Sequence, residues 1–129
     1  MNVPEGLLYT KEHEWAKIEG NLATVGITDY AQHSLGDITF VELPKIGNKA
    51  EQSKYLSTVE SVKAASDVYA PFSGKIVKVN EALSKSPEFL NQSPYKEGWI
   101  AVVEIQDLKE KDNLMAAAAY SKYLETLSK

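Results

Sequence analysis

The chain has 129 residues, of which 43% are hydrophobic and 25% charged, and its net charge is −4. This composition is typical of a globular protein with its own core, and the length favours one domain over two. The absence of cysteine excludes disulfides, thiolate metal sites and a cysteine nucleophile.

The sequence also bears on nucleic-acid binding, on membrane insertion and on the location of the protein. All 14 basic residues are lysines and they form no concentrated basic run, so we expect no nucleic-acid partner. No apolar stretch is long enough to cross a bilayer, so we expect no membrane partner. Met1–Gly6 has neither the basic and apolar regions of a signal peptide nor the arginines of a transit peptide. We therefore expect a cytoplasmic location.

Short strands and tight turns are predicted first. His13–Ile18 and Leu22–Ile27 have strand-like patterns, and Gly20-Asn21 between them is typical of a hairpin turn. Thr28 is a favoured N-cap, and it predicts a short helix over Asp29–Ser34 that ends at the following glycine.

A further strand is predicted over Ile38–Leu43, with Ile38 and Phe40 on one face and Val41 on the other. Pro44 ends this strand. The next segment, Lys49–Lys54, is weakly patterned and predicts a short edge strand followed by a turn.

The segment around Lys63 differs from the rest of the chain. Strand-like residues over Tyr55–Val59 lead into it and Val68–Ala70 lead out, while the residues next to Lys63 are mostly small. This pattern predicts a β-hairpin with Lys63 at or near its tip. An uncrowded amine on a rigid base suits an approaching modifying enzyme. We therefore predict that Lys63 carries a cofactor.

The last third of the chain predicts two strands, Lys75–Asn80 and Trp99–Ile105, separated by a loop with one helical turn around Glu88–Asn91. The second strand is the most apolar and is expected to lie centrally in a sheet. A C-terminal helix is predicted over about residues 112–127, capped by Asp112 or Asn113. The sequence therefore predicts a mainly β fold, a sandwich or flattened barrel, with its core over about residues 6–105, a short internal helix and a C-terminal helix.

A set of short segments, in order and suitably spaced, covers nearly all of residues 6 to 105. They are His13-Glu14-Trp15, Ala23–Gln32, Leu35–Ile38, Phe40–Pro44, Val59–Ala64, Ser66-Asp67, Ala70-Pro71, Val79–Leu83, Ser93–Tyr95 and Gly98-Trp99. Together these segments resemble the H proteins of the glycine cleavage system, a family of lipoyl carriers. The resemblance implies the lipoyl-type hybrid barrel-sandwich fold.

The resemblance also implies site residues. Lys63 would be amide-linked through its ε-amine to lipoate, and Glu60 matches the acidic residue that lipoylating enzymes recognise. Glu14 and Asp67 match positions that hold the aminomethyl group in a surface cleft. A cationic amine beside two carboxylates is physically reasonable. Ser53 lies where many relatives have glycine, and Glu12 is an additional acid beside this cleft.

The family implies a cycle with three enzymes. The P protein, a glycine decarboxylase, transfers the aminomethyl group of glycine to the lipoyl arm. The T protein, an aminomethyltransferase, passes the one-carbon unit to tetrahydrofolate, and dihydrolipoamide dehydrogenase reoxidises the arm. The chain would be a non-catalytic carrier that supplies position while the cofactor supplies chemistry.

Two alternatives remain open from the sequence. The protein is a lipoyl donor or carrier for another pathway, or it is an unmodified interaction domain with the same fold. A biotin carrier is disfavoured because Val62 and Ala64, not methionines, flank the lysine. A metal site is not expected, since His13 and His33 have no ligand spacing.

Overall fold

The computed structural model describes residues 1–127, which form two antiparallel β-sheets with helices at their margins. The strands are β1 (Leu8–Tyr9), β2 (Glu14–Glu19), β3 (Leu22–Ile27), β4 (Ile38–Glu42), β5 (Lys49–Ala50), β6 (Tyr55–Ser61), β7 (Ala65–Tyr69), β8 (Gly74–Val79) and β9 (Ala101–Ile105). The α-helices are α1 (Asp29–Leu35), α2 (Phe89–Gln92) and α3 (Ala117–Leu127), and 3₁₀ segments cover Glu81–Ser84 and Leu108–Asn113.

One sheet has the strand order β1-β2-β3-β9-β8-β5, and the other has the order β4-β6-β7. Their apolar faces share a core that includes Val25, Ile38, Val59, Phe72 and Val103. The predicted mainly β class is confirmed, as are the short internal helix and a C-terminal helix. β9 lies between β3 and β8, so the central position expected for this strand is also confirmed.

The first hairpin, β2 and β3, contains a close approach that requires glycine. A Cβ atom on Gly26 would lie 2.8 Å from Nε1 of Trp15, which is closer than real Cβ atoms come. The Trp15 ring is buried, and its Nε1–H donates to the carbonyl of Pro94 at 3.0 Å. The bare backbone at Gly26 therefore lets the indole pack flat across the neighbouring strand.

The predicted faces of β4 are wrong. A register shift between Ile38 and Phe40 breaks the alternation, so that Ile38 and Val41 are both buried while Phe40 is 51% exposed. A β-bulge adds one residue to a strand and moves every later side chain to the opposite face. The sequence pattern of period two gives no sign of such an insertion.

The C-terminal helix begins at Ala117, not near residue 112. Residues Leu108–Asn113 instead form a 3₁₀ segment, capped by the Asp107 carboxylate, which accepts from the Lys109 N–H at 3.0 Å. Met115 then exchanges two backbone hydrogen bonds of 2.8 Å with Tyr9. This bridge to β1 keeps the chain extended and delays the helix.

The residues that cap the α1 helix are the predicted ones. The Thr28 side chain accepts from the Ala31 N–H at 3.3 Å, as an N-cap should, and the helix ends at Gly36 with φ of 79°. The helix has one more residue than predicted, Leu35. It packs beside the β6–β7 hairpin and forms one wall of the site described below.

Replacing Ser53 with glycine is expected to raise the free energy of unfolding by about 1 kcal/mol. Ser53 holds φ of 68°, a left-handed conformation that glycine adopts without steric cost. Urea denaturation measures the change as a higher midpoint at an unchanged slope. The control is Ser84→Gly in a 3₁₀ segment, where the same truncation should lower stability. A Ser53→Gly protein no more stable than the parent contradicts the prediction.

Candidate functional site

The structure places Lys63 in the turn of the β6–β7 hairpin, as predicted. Ser61 N–H donates to the carbonyl of Ala64 at 2.8 Å and closes the turn. The Ser61 hydroxyl oxygen accepts from the N–H groups of Lys63 and Ala64 at 3.2 and 3.1 Å. The serine side chain therefore fixes the backbone beneath Lys63, while the lysine itself is exposed.

The tip of the hairpin rests against the end of α1. Val62 N–H donates to the carbonyl of Asp37 at 3.0 Å. The Lys63 stem crosses Gly36, and its Cε atom lies 3.2 Å from the position that a Cβ on Gly36 would occupy. Gly36 therefore has a second role that the sequence pattern did not predict, because it leaves a passage for the lysine stem.

A cleft of about 460 Å³, here called the proximal cleft, lies between α1 and β7. This volume is within the usual range for ligand sites. Its lining residues are Glu12, His13, Tyr30, Ala31, Ser34, Leu35, Ala65, Ser66, Asp67 and Tyr69. Leu35 directly precedes Gly36 and Ala65 lies two residues after Lys63, so the cleft borders the segments next to the lysine stem.

A second cleft of about 540 Å³, here called the distal cleft, adjoins the first. It is lined by Thr10, Lys11, Glu12, Glu14, Gln52, Ser53, Tyr69, Ala70, Asn113 and Leu114. Glu12 and Tyr69 line both clefts. Of the two predicted cleft carboxylates, Asp67 lines the proximal cleft and Glu14 the distal one. Tyr69 had no signal in the sequence.

Glu14 is the most buried carboxyl of the site, with only 2% of its surface exposed. Thr10 Oγ1 donates to its Oε1, and the Tyr69 N–H donates to its Oε2 at 3.0 Å. Burial raises the pKa of Glu14 to about 7, and although these two hydrogen bonds oppose the rise, the negative charge of Glu12 adds to it. A carboxyl with this pKa gives up its proton readily when a cation arrives.

The other two predicted acids are exposed. Asp67 lies in the middle of β7, an edge strand of its sheet, and accepts from Thr58 Oγ1 at 3.3 Å. Glu60 lies on β6, paired with Phe40 of β4 and with Ala65 of β7, three residues before Lys63. It is available to an enzyme that approaches the tip but is not among the residues that line either cleft.

The stability of the protein is expected to fall as pH rises from about 4.5 to about 7, through the Glu14 carboxyl. Its pKa is higher in the folded than in the unfolded chain, so the folded state binds more protons in this window and loses that advantage above it. The loss is on the order of 3 kcal/mol at most. Urea denaturation across this range measures it.

Glu14→Gln, which cannot titrate, should flatten this part of the profile. Glu19→Gln, which changes an exposed residue of the same strand, should keep the native slope. If Glu14→Gln and the native protein lose stability in parallel over this range, the buried carboxyl does not titrate as described.

Within residues 1–127, no helix has the length and apolar character needed to span a membrane. The same residues contain no group of three or more histidine, aspartate or glutamate side chains able to hold a metal ion.

The comparisons with known proteins agree with one another. The family model described as "Glycine cleavage H-protein" matches residues 7–127. The glycine cleavage system H protein of Halothermothrix orenii is 51% identical over 125 residues, which cover 97% of this chain and 98% of that protein. The H protein of Coprothermobacter proteolyticus is 54% identical, over 96% of this chain and 98% of its own length.

A solved structure gives the same result. The crystal structure of a glycine cleavage system H protein from Mycobacterium marinum superposes with a TM-score of 0.87 at 36% identity. The superposition covers 95% of this chain and 99% of the other, and it confirms the predicted barrel-sandwich fold class. With a family model that spans nearly the whole chain and relatives above 50% identity, this protein belongs to the glycine cleavage H-protein family.

Proposed function

We propose that this protein is the lipoylated carrier of a glycine cleavage system and that lipoate is amide-linked to Nζ of Lys63. One observation supports this most strongly. Lys63 lies at the tip of a hairpin with its stem against Gly36, and beside it are two adjoining clefts, one of which contains a buried carboxyl with a pKa of about 7. An arm that carries a cationic group requires a fixed attachment point and a carboxyl group near its far end.

The residues along this route fit a lipoyl group. The Lys63 amine is exposed, so a lipoylating enzyme can reach it. The proximal cleft offers small or apolar side chains, Ala31, Leu35 and Ala65, which match an aliphatic chain. When attached, lipoate supplies a dithiolane for redox and group-transfer chemistry, and the protein supplies position and electrostatics.

Glu14 is proposed to hold the aminomethyl cargo. The amine of this cargo is cationic near neutral pH, and its attraction to a carboxylate is stronger in a buried site than in water. The approaching cation favours ionisation of Glu14, whose proton then leaves to solvent. The Tyr69 N–H and the Thr10 hydroxyl keep the carboxylate oriented. Asp67 adds negative potential in the proximal cleft.

The partners follow from this role. The carrier visits the P protein, the T protein and dihydrolipoamide dehydrogenase, and it contributes no catalytic residue of its own. Glu60 contributes to recognition by lipoylating enzymes, since it is exposed beside the tip and separate from both clefts. The proposed place of this system is the cytoplasm.

Lipoylation at Lys63 is tested by intact mass after incubation with lipoate, ATP and a lipoate–protein ligase. The native chain is expected to gain the mass of one lipoyl group, and Lys63→Arg to gain none. Lys54→Arg, which keeps Lys63 and changes a lysine before β6, should gain the same mass as the native chain. A native chain that stays unmodified overturns the proposal.

Retention of the cargo is tested with Glu14→Gln, which keeps the shape of the side chain and removes its charge. We expect the lifetime of the cargo-loaded protein to fall about tenfold, which corresponds to about 1.4 kcal/mol of lost binding. The measurement follows cargo loss by mass after loading with glycine and the P protein. Glu19→Gln is the matched control and should retain the native lifetime. An unchanged lifetime in Glu14→Gln removes Glu14 from the site.

A further inference from the structure

We infer that Tyr120, on the C-terminal helix α3, is a positioning residue. It holds the turn over residues 10–14, which presents Glu12 and Glu14 to the two clefts. It acts through His13, which lies between these two acids. The effect of Tyr120 on cargo retention rests on the proposed function, whereas the effect of Tyr120 on the turn does not. Tyr120 itself lines neither cleft.

The turn is built around a residue in a costly conformation. His13 has φ of 74°, a left-handed backbone that is strained for a residue other than glycine. Its backbone is held on both sides, because His13 N–H donates to the Thr10 carbonyl at 3.2 Å and Thr28 N–H donates to the His13 carbonyl at 3.0 Å. Reversal of the chain here leaves Glu12 exposed and Glu14 buried.

The side chain of His13 is held from α3. Its Nδ1 atom lies 2.8 Å from the Tyr120 hydroxyl, and its ring packs on Tyr30 with centroids 4.4 Å apart. Tyr120 is completely buried and its hydroxyl also lies 2.8 Å from Thr28 Oγ1. One hydroxyl therefore joins the turn to the N-terminus of α1.

The Tyr120 hydroxyl lies within hydrogen-bond distance of two side chains, Thr28 Oγ1 and His13 Nδ1. Thr28 Oγ1 also accepts from the Ala31 N–H and keeps its own proton for a second bond. When the Tyr120 hydroxyl donates to Nδ1 of His13, the imidazole is neutral and carries its proton on Nε2. Burial lowers the pKa of His13 and thus favours this neutral form. Removal of the Tyr120 hydroxyl takes this hydrogen-bond partner from both the Thr28 hydroxyl and the His13 ring.

The two elements joined by Tyr120 are walls of the proximal cleft. α1 contributes Tyr30 and Ala31, and the turn contributes Glu12 and His13. Loss of the hydroxyl leaves the His13 ring without this partner and the left-handed residue less restrained. The turn then loosens, and water reaches the Glu14 carboxyl, which accepts a hydrogen bond from Thr10 at the start of the turn.

If Tyr120 contributed only to packing, Tyr9→Phe and Tyr120→Phe would have similar effects on Glu14. Comparison of these two variants therefore tests the link to His13. Tyr9 and Tyr120 stack with centroids 4.6 Å apart, and both are fully buried. The Tyr9 hydroxyl, however, donates to the carbonyl of Pro4 and not to the turn. Tyr9→Phe and Tyr120→Phe thus remove the same group from the same stack, and only the second cuts the link to His13.

The experiment titrates the Glu14 carboxyl by ¹³C NMR in protein that carries no lipoate. The native midpoint is expected close to 7. In Tyr120→Phe it should fall by about one unit, because water that reaches the carboxyl favours its charged form. Tyr9→Phe should keep the native midpoint. A native midpoint in Tyr120→Phe, or equal shifts in both variants, overturns the inference.

A second variant covers the case in which Tyr120→Phe does not fold. His13→Asn keeps a residue type that tolerates positive φ and is too short to reach the tyrosine. It should lower the Glu14 midpoint in the same direction as Tyr120→Phe. A native midpoint in a folded His13→Asn protein counts against the inference.

The consequence for the cargo is measured separately with lipoylated protein. We expect Tyr120→Phe to accept lipoate like the native chain and to lose its cargo about fivefold faster, with Tyr9→Phe at the native rate. A native protein that takes up no cargo overturns the proposed function and leaves the NMR result standing. A shifted midpoint with an unchanged lifetime overturns the role in retention.

Discussion

The hydrogen bond from the Tyr69 N–H to the Glu14 carboxyl joins the two sheets at the site, since Glu14 belongs to β2 and Tyr69 to β7. A carboxyl buried this deeply needs its donors, because an unpaired one is costly to remove from water. The Thr10 hydroxyl and the Tyr69 amide meet that need from different parts of the chain. Burial raises the pKa of this carboxyl to about 7 against the effect of the two hydrogen bonds, so a small change in its surroundings changes its charge near neutral pH.

The features that the sequence predicted well are those decided by neighbours along the chain. The Thr28 cap, the turn at Gly20 and the hairpin that carries Lys63 each depend on a few adjacent residues. The family resemblance added Glu14 and Asp67, which no local pattern marks. The structure places these acids in adjoining clefts that share Glu12 and Tyr69.

The features that were missed depend on contacts between distant segments. The bulge in β4 follows from its pairing with β6, and the late start of α3 follows from the bridge between Met115 and Tyr9. The depth of Glu14 is likewise set by β7 and by the turn around His13, some of whose partners are over a hundred residues away. A pattern of hydrophobic residues carries no information on such pairings.

The position of the Lys63 stem against Gly36 affects how fast an attached group binds and leaves a cleft. Because the stem of Lys63 starts against the end of α1, beside the proximal cleft, the binding of an attached group in that cleft is an intramolecular event. Tethering of this kind gives effective concentrations in roughly the millimolar range. A site with weak intrinsic affinity is then enough to hold the tethered group most of the time. Weak affinity also permits fast departure, so a carrier built in this way protects its load between encounters and still surrenders it promptly when another protein offers a better site.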